Sequence, residues 1–94
     1  MNKPPTTIDN ASVLYWAWSG EQPFGVVNYT DGTVTAEIFG LAICRYENSA
    51  IIYRFSCDKN WETVQDGDYA SVEEAMDCLP EQYKNVPVNW IKVG

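Results

Sequence analysis

The chain has 94 residues, 13 acidic against 6 basic, for a net charge of −7 with 46% hydrophobic residues. Such a length supports one domain. Four Trp, six Tyr and three Phe give it enough apolar surface to exclude a disordered chain despite the charge. The sign of that charge excludes ordinary phosphate-directed nucleic-acid binding, which draws its affinity from clustered Lys and Arg.

Residues 1–10 are polar and contain Pro4-Pro5, so a loose arm is expected there, and with no apolar run behind Lys3 they do not read as a signal peptide. No window has the apolar length needed to span a bilayer, so a cytosolic location is the default expectation. Asn10-Ala11-Ser12 and Asn28-Tyr29-Thr30 match glycosylation sequons, but without a secretory signal they read as chance. Residues 13–18 are β-branched and aromatic and predict a strand, with Tyr15 and Ala17 on one face and Leu14, Trp16 and Trp18 on the other. Residues 24–29 predict a second strand. Thr30-Asp31-Gly32-Thr33 then reads as a hairpin loop, and residues 33–47 as the antiparallel return, bent or bulged at Gly40.

Residues 50–58 predict a further strand, with Ile51, Tyr53, Phe55 and Cys57 as the better core face against Ile52, Arg54 and Ser56. A short strand is expected over residues 61–64, closed by a turn at Gln65-Asp66-Gly67-Asp68. Ser71-Val72-Glu73-Glu74 is a capping box, and Val72, Ala75, Met76 and Leu79 form one helical stripe that Pro80 limits, leaving room for one more turn through Tyr83. The tail from Val86 reads as extended, and Pro87 places it at a sheet edge if it pairs. The expected fold is a single α+β domain: an antiparallel sheet of four to six strands with one main helix, about residues 72–79, packed on a face.

The chemistry is sparse. Cys44, Cys57 and Cys78 have no His anywhere in the chain to activate them, so they read as structural thiols, Cys44 and Cys57 pairing only if a hairpin brought them face to face. Thirteen carboxylates place some pair at any separation, which makes a glycosidase-like pair unspecific. Asp66 and Asp68 could join Asp58 or Glu62 around a hard cation, but the ligand spacing of a calcium loop is missing and turn chemistry accounts for Asp-Gly-Asp; no metal or cofactor is expected. Trp16, Trp18 and Trp61 could stack on sugars or bases, although aromatics in so small a domain usually build its core.

The acidic charge has the best claim to function. Between residues 58 and 81 the chain carries Asp58, Glu62, Asp66, Asp68, Glu73, Glu74, Asp77 and Glu81 against the single base Lys59. The helix dipole accounts for Glu73 and Glu74. Asp77 follows Glu73 by four residues and Glu81 follows Asp77 by four, a like-charge spacing that works against the helix. A solvated face that keeps the protein soluble is one reading. The other is a docking surface for a basic protein partner, formed by Asp58, Glu62, Asp66, Asp68, Glu73, Asp77 and Glu81 with Trp61, Tyr69 and Tyr83 as aromatic anchors.

Tyr53-Arg54-Phe55-Ser56-Cys57-Asp58, Trp61-Glu62 and the run from Tyr69 to Ala75, YASVEEA, resemble the small acidic immunity proteins that bacteria keep beside polymorphic or contact-dependent toxins. The resemblance spans residues 51–79. It implies a cytosolic, non-enzymatic inhibitor that binds the toxin's catalytic domain, often a basic nuclease, and it transfers no binding positions. Two alternatives stand beside it: a nucleic-acid mimic from a phage or mobile element that occupies a DNA-binding enzyme, and a small sugar- or ligand-binding module using Trp16 and Trp18.

Overall fold

In the computed structural model, which describes residues 2–28, 35–84 and 86–93, the first feature is a tight hairpin. Asp9 and Asn10 take φ of 50° and 70°, the pair of left-handed residues that a two-residue primed turn requires. They join β1 (Thr7–Ile8) to β2 (Ala11–Trp18), with Ile8 opposite Ala11. Residues 7–10, expected in a loose arm, are instead the opening hairpin. Asp and Asn tolerate the left-handed conformation, and Ile8 and Ala11 are buried beneath the turn.

β3 (Gly25–Asn28) and β4 (Thr35–Ile38) form a separate two-stranded ribbon; Tyr29 to Val34, including the expected Asp31-Gly32 loop, lie outside the described residues. After Phe39 the chain enters β5 (Gly40–Arg45), followed by β6 (Ile52–Cys57) and β7 (Thr63–Tyr69). A short helix α1 (Val72–Asp77), a 3-10 turn (Glu81–Lys84) and β8 (Ile91–Lys92) complete the chain. The main sheet runs in the order β1-β2-β5-β6-β7, with β8 also paired to β2, and every pairing is antiparallel. The fold is therefore of the α+β kind expected, dominated by its sheet. The tail does reach an edge, through Ile91 and Lys92 opposite Trp16 and Tyr15 rather than at Pro87.

The central strands β2, β5 and β6 are buried on both faces. One face carries Val13, Trp16, Ala42, Cys44, Phe55 and Cys57, closed over by Ile8 and by Trp61. The other carries Ala17 and Leu41, with Ile43 and Ile52 further along, and is covered by Phe24 and Ile38 of the ribbon, Ala75 of α1, Tyr83, and the half-buried Leu79, Val86, Val88 and Trp90. That corrects the β6 reading: Ile52, Arg54 and Ser56 are as buried as Phe55 and Cys57, whereas Ile51 is 45% exposed and precedes the strand. The C-terminal segment supplies the cover, and strand periodicity carries no sign of it. Leu14 departs from the β2 alternation too, because the register slips between Val13 and Tyr15 and the extra residue turns Leu14 to the Tyr15 side.

Gly40 marks the passage from ribbon to sheet. Its lack of a side chain serves a close approach: a Cβ there would stand 2.5 Å from the Trp61 ring. Trp61 itself has φ of 61°, unusual for a bulky residue, and its indole is held edge-on to Trp16 at 6.3 Å and beside Trp18 at 5.6 Å.

Two expectations around β7 also change. Thr63–Tyr69 is one seven-residue strand, so Asp66-Gly67-Asp68 runs extended through it, opposite Phe55, Arg54 and Tyr53, instead of turning. Pairing with β6 overrides the local turn preference of Asp-Gly. Trp61, expected in that strand, precedes it. α1 begins as the capping box predicts, with Ser71 Oγ accepting from the Glu74 amide at 3.1 Å and Glu74 reaching back to the Ala70 amide at 3.3 Å. It ends earlier than residue 79, with Cys78 as its C-cap.

Candidate functional site

β7 is the last strand of the sheet order, paired to β6 on one side and to no other strand among the described residues. Asp66 and Asp68 stand on it, both exposed. Since cross-strand partners share a face, their positions opposite Phe55 and Tyr53 put them on the Trp61 side of the sheet. α1 packs on the opposite side, where Arg54 meets its carbonyls, and carries exposed Glu73 and Asp77; exposed Glu81 follows. The predicted acids are thus divided between the two sides of the sheet and do not share one face. The free edge of β7 runs between the two groups.

Asp58 and Glu62 sit differently. The Asp58 carboxylate accepts from the amides of Asn60 at 2.8 Å and Glu62 at 3.0 Å, so it is engaged in shaping its own loop. Glu62 is exposed beside that loop.

The three expected anchors are structural. Trp61 is 8% exposed and Tyr83 2%. The Tyr83 hydroxyl donates to Ser56 Oγ at 3.0 Å, and burial pushes its phenol up. Tyr69 is half-buried with the Arg54 guanidinium 4.9 Å above its ring. A domain of this size draws its large aromatics into the core, and these three follow that rule. Trp16 is 5% exposed and nearly perpendicular to Trp61, and half-buried Trp18 packs beside Trp61 and Phe39.

Sequence reasoning missed Arg54. It is 6% exposed, and its Nη1 donates to the carbonyls of Ala75 and Cys78, both at 2.8 Å. It thereby satisfies orphan carbonyls at the end of α1. Its Nε is buried with no hydrogen-bond partner. Arg54 also lines a cleft of about 430 Å³ with Ser56, Gln65, Asp66, Tyr69, Cys78, Leu79 and Pro80. The signal that could have exposed it was an Arg inside an otherwise apolar strand, followed about twenty residues later by a helix without a basic residue in its last turn.

The cysteines do not pair. Cys44 lies opposite Tyr53, and Cys57 is four residues further along β6, roughly 13 Å at strand spacing, beyond the Cα reach of a disulfide. Burial pushes both thiols up to about 12, with Cys57 and Asp9 adding to it at Cys44. A thiol so raised is a poor nucleophile near neutrality. Iodoacetamide is therefore expected to label the native protein at exposed Cys78 and to reach Cys44 and Cys57 only on unfolding; comparable labelling rates for all three by mass spectrometry would contradict this packing. Because the folded thiols titrate above the ordinary thiol value of 9.0, the stability they contribute is complete below about pH 9 and falls as pH rises towards 12.

Among the described residues no group of three or more Cys, Asp or Glu side chains is arranged to hold a metal ion, and no helix is long and apolar enough to cross a membrane. Comparison with known proteins finds no matching family, no similar curated protein and no similar solved structure.

Proposed function

We propose that this protein works by binding, as a bacterial immunity protein that neutralises a basic toxin domain in the cytoplasm through the acids bordering β7. The observation that carries the reading is the exposure of Asp66, Asp68, Glu73, Asp77 and Glu81, the first two on a strand with no second neighbour among the described residues, while Trp61 and Tyr83 are engaged in the core. Asp77 stands at the C-terminal end of α1, where the helix dipole disfavours an acid, so a role in attracting a basic partner accounts for it better than local structure does. Cys44 and Cys57 are buried away from any substrate, which favours binding over covalent catalysis at those thiols.

The nucleic-acid mimic is less well supported. Such a mimic wants acids spread like phosphates over one continuous face, and here the sheet divides them into two groups.

Capture of the product of the neighbouring gene is the direct test. Reversing Glu73, Asp77 and Glu81 to Lys is expected to weaken that complex by about tenfold or more and to flatten its salt dependence. Unchanged affinity and salt slope in that triple variant would remove electrostatic docking as the mechanism.

A further inference from the structure

The outer edge of β7 has the makings of a recognition element in its own backbone. Seven residues long, it presents a row of amide and carbonyl groups that no described strand pairs. Exposed edges of this length invite pairing with another chain, and proteins normally blunt them with charge, Pro or a covering element. Here β7 contains no Pro, and α1 packs on a face of the sheet near Arg54. Charge remains, and it is of one sign: Asp66 and Asp68 on the Trp61 side, with Glu73 and Asp77 on the α1 side.

We infer that β7 accepts an extended basic segment of the partner protein as an added strand. This deepens the proposed function and rests on it. Backbone pairing supplies affinity in such an addition, and alternate side chains supply specificity. On one side, every second residue of the added strand lies beside Asp66 and Asp68, a place for Lys or Arg. On the other, the intervening residues pass the cleft lined by Arg54, Ser56, Gln65, Tyr69 and Leu79. Arg54 is 94% buried there with its Nε sealed from solvent, and the exposed Gln65 amide is the polar side chain the cleft offers to a neighbouring strand. A side-chain amide oxygen suits that cleft, so the matching segment alternates a base with Gln or Asn. A second copy of this chain is a poor occupant, since edge-to-edge pairing would set Asp66 and Asp68 against like charges.

The probe is the peptide acetyl-Lys-Gln-Lys-Gln-Lys-Gln-Lys-amide, titrated into the full chain and followed by backbone amide NMR. Its control has the same sequence and charge but N-methyl groups on alternate backbone nitrogens. The expected result is saturable binding of the first peptide with shifts concentrated in β7, loss of binding by the control, and roughly tenfold weakening in the double variant Asp66→Asn, Asp68→Asn. Equal binding of both peptides would overturn strand addition while leaving the acidic docking surface intact. Absence of binding, shifts elsewhere, or self-association of the chain through β7 in sedimentation would overturn it as well. Failure of the toxin capture with the Glu73, Asp77 and Glu81 variants unchanged would instead strike the proposed function, so the two are separable.

Discussion

Replacing Arg54 by methionine is expected to destabilise the protein by roughly 3 kcal/mol, although the substitution keeps the side chain's length and removes a buried cation. Two effects oppose each other. Burying a guanidinium is unfavourable, and relieving that burden favours Met. Against it, the carbonyls of Ala75 and Cys78 lose donors at 2.8 Å, and a hydrogen bond to a charged group contributes about 1.5–3 kcal/mol. The Tyr69 ring loses its cation too, worth about another 0.5–2 kcal/mol. The hydrogen-bond side wins because the carbonyls have no substitute donor once α1 lies on the sheet. For a chain of this length the midpoint of thermal unfolding should fall on the order of 15 °C. Lysine in the same place is expected to recover only part of the loss, since its single ammonium lacks the planar fork. Thermal denaturation followed by circular dichroism measures both variants. A neutral Arg54→Met would show that α1 is held by its apolar stripe alone.

Gly40→Ala carries the second large effect. The new methyl carbon would sit 2.5–2.8 Å from three atoms of the Trp61 ring, closer than carbon atoms approach. Trp61 cannot swing aside, being wedged against Trp16 and Trp18 with 8% of its surface exposed. Overpacking of this kind costs about 1–3 kcal/mol. Trp61→Ala alone should cost about 3–5 kcal/mol through lost contacts and the cavity it leaves. The informative quantity is the double variant: with the indole gone, Gly40→Ala should be nearly silent, a coupling of about 2 kcal/mol between the two sites. Urea midpoints of the four proteins measure it. An equal penalty for Gly40→Ala with and without Trp61 would mean that the glycine is required for backbone reasons and not for the ring.

These two positions mark the limits of reading the chain unaided. What was legible was local: the Ser71–Glu74 box, the strand character of residues 13–18 and 52–57, and the exposure of most of the acids all follow from a few neighbouring residues. What was illegible depended on remote partners. Asp66-Gly67-Asp68 has the composition of a turn, and only pairing to Phe55, Arg54 and Tyr53 draws it out into a strand. Arg54 looked solvent-facing because the cover on its side of the sheet comes from α1 and the C-terminal segment. Trp61 looked like a surface anchor because its neighbours in sequence are acidic, whereas its neighbours in space are Gly40, Trp16 and Trp18. The acids were expected outside, and all those from Glu62 to Glu81 are exposed while Asp58 is half-buried; their division between two sides of β7 follows from strand register and helix placement together.

The indole cluster has an optical consequence. Trp16 and Trp18 stand on β2, while Trp61 stands in the loop that leads from β6 to β7. At 5.6 and 6.3 Å between ring centroids, these chromophores share excitation and sit in a fixed asymmetric arrangement. Their near-ultraviolet dichroism therefore arises when β2, β5 and the Trp61 loop have all docked, and it is silent on whether the strands have merely formed. A compact state that keeps its sheet but loosens its packing would lose that band while leaving the far-ultraviolet spectrum in place. The chain thus carries its own spectroscopic gauge of close packing, set at the point where Gly40 admits the Trp61 ring.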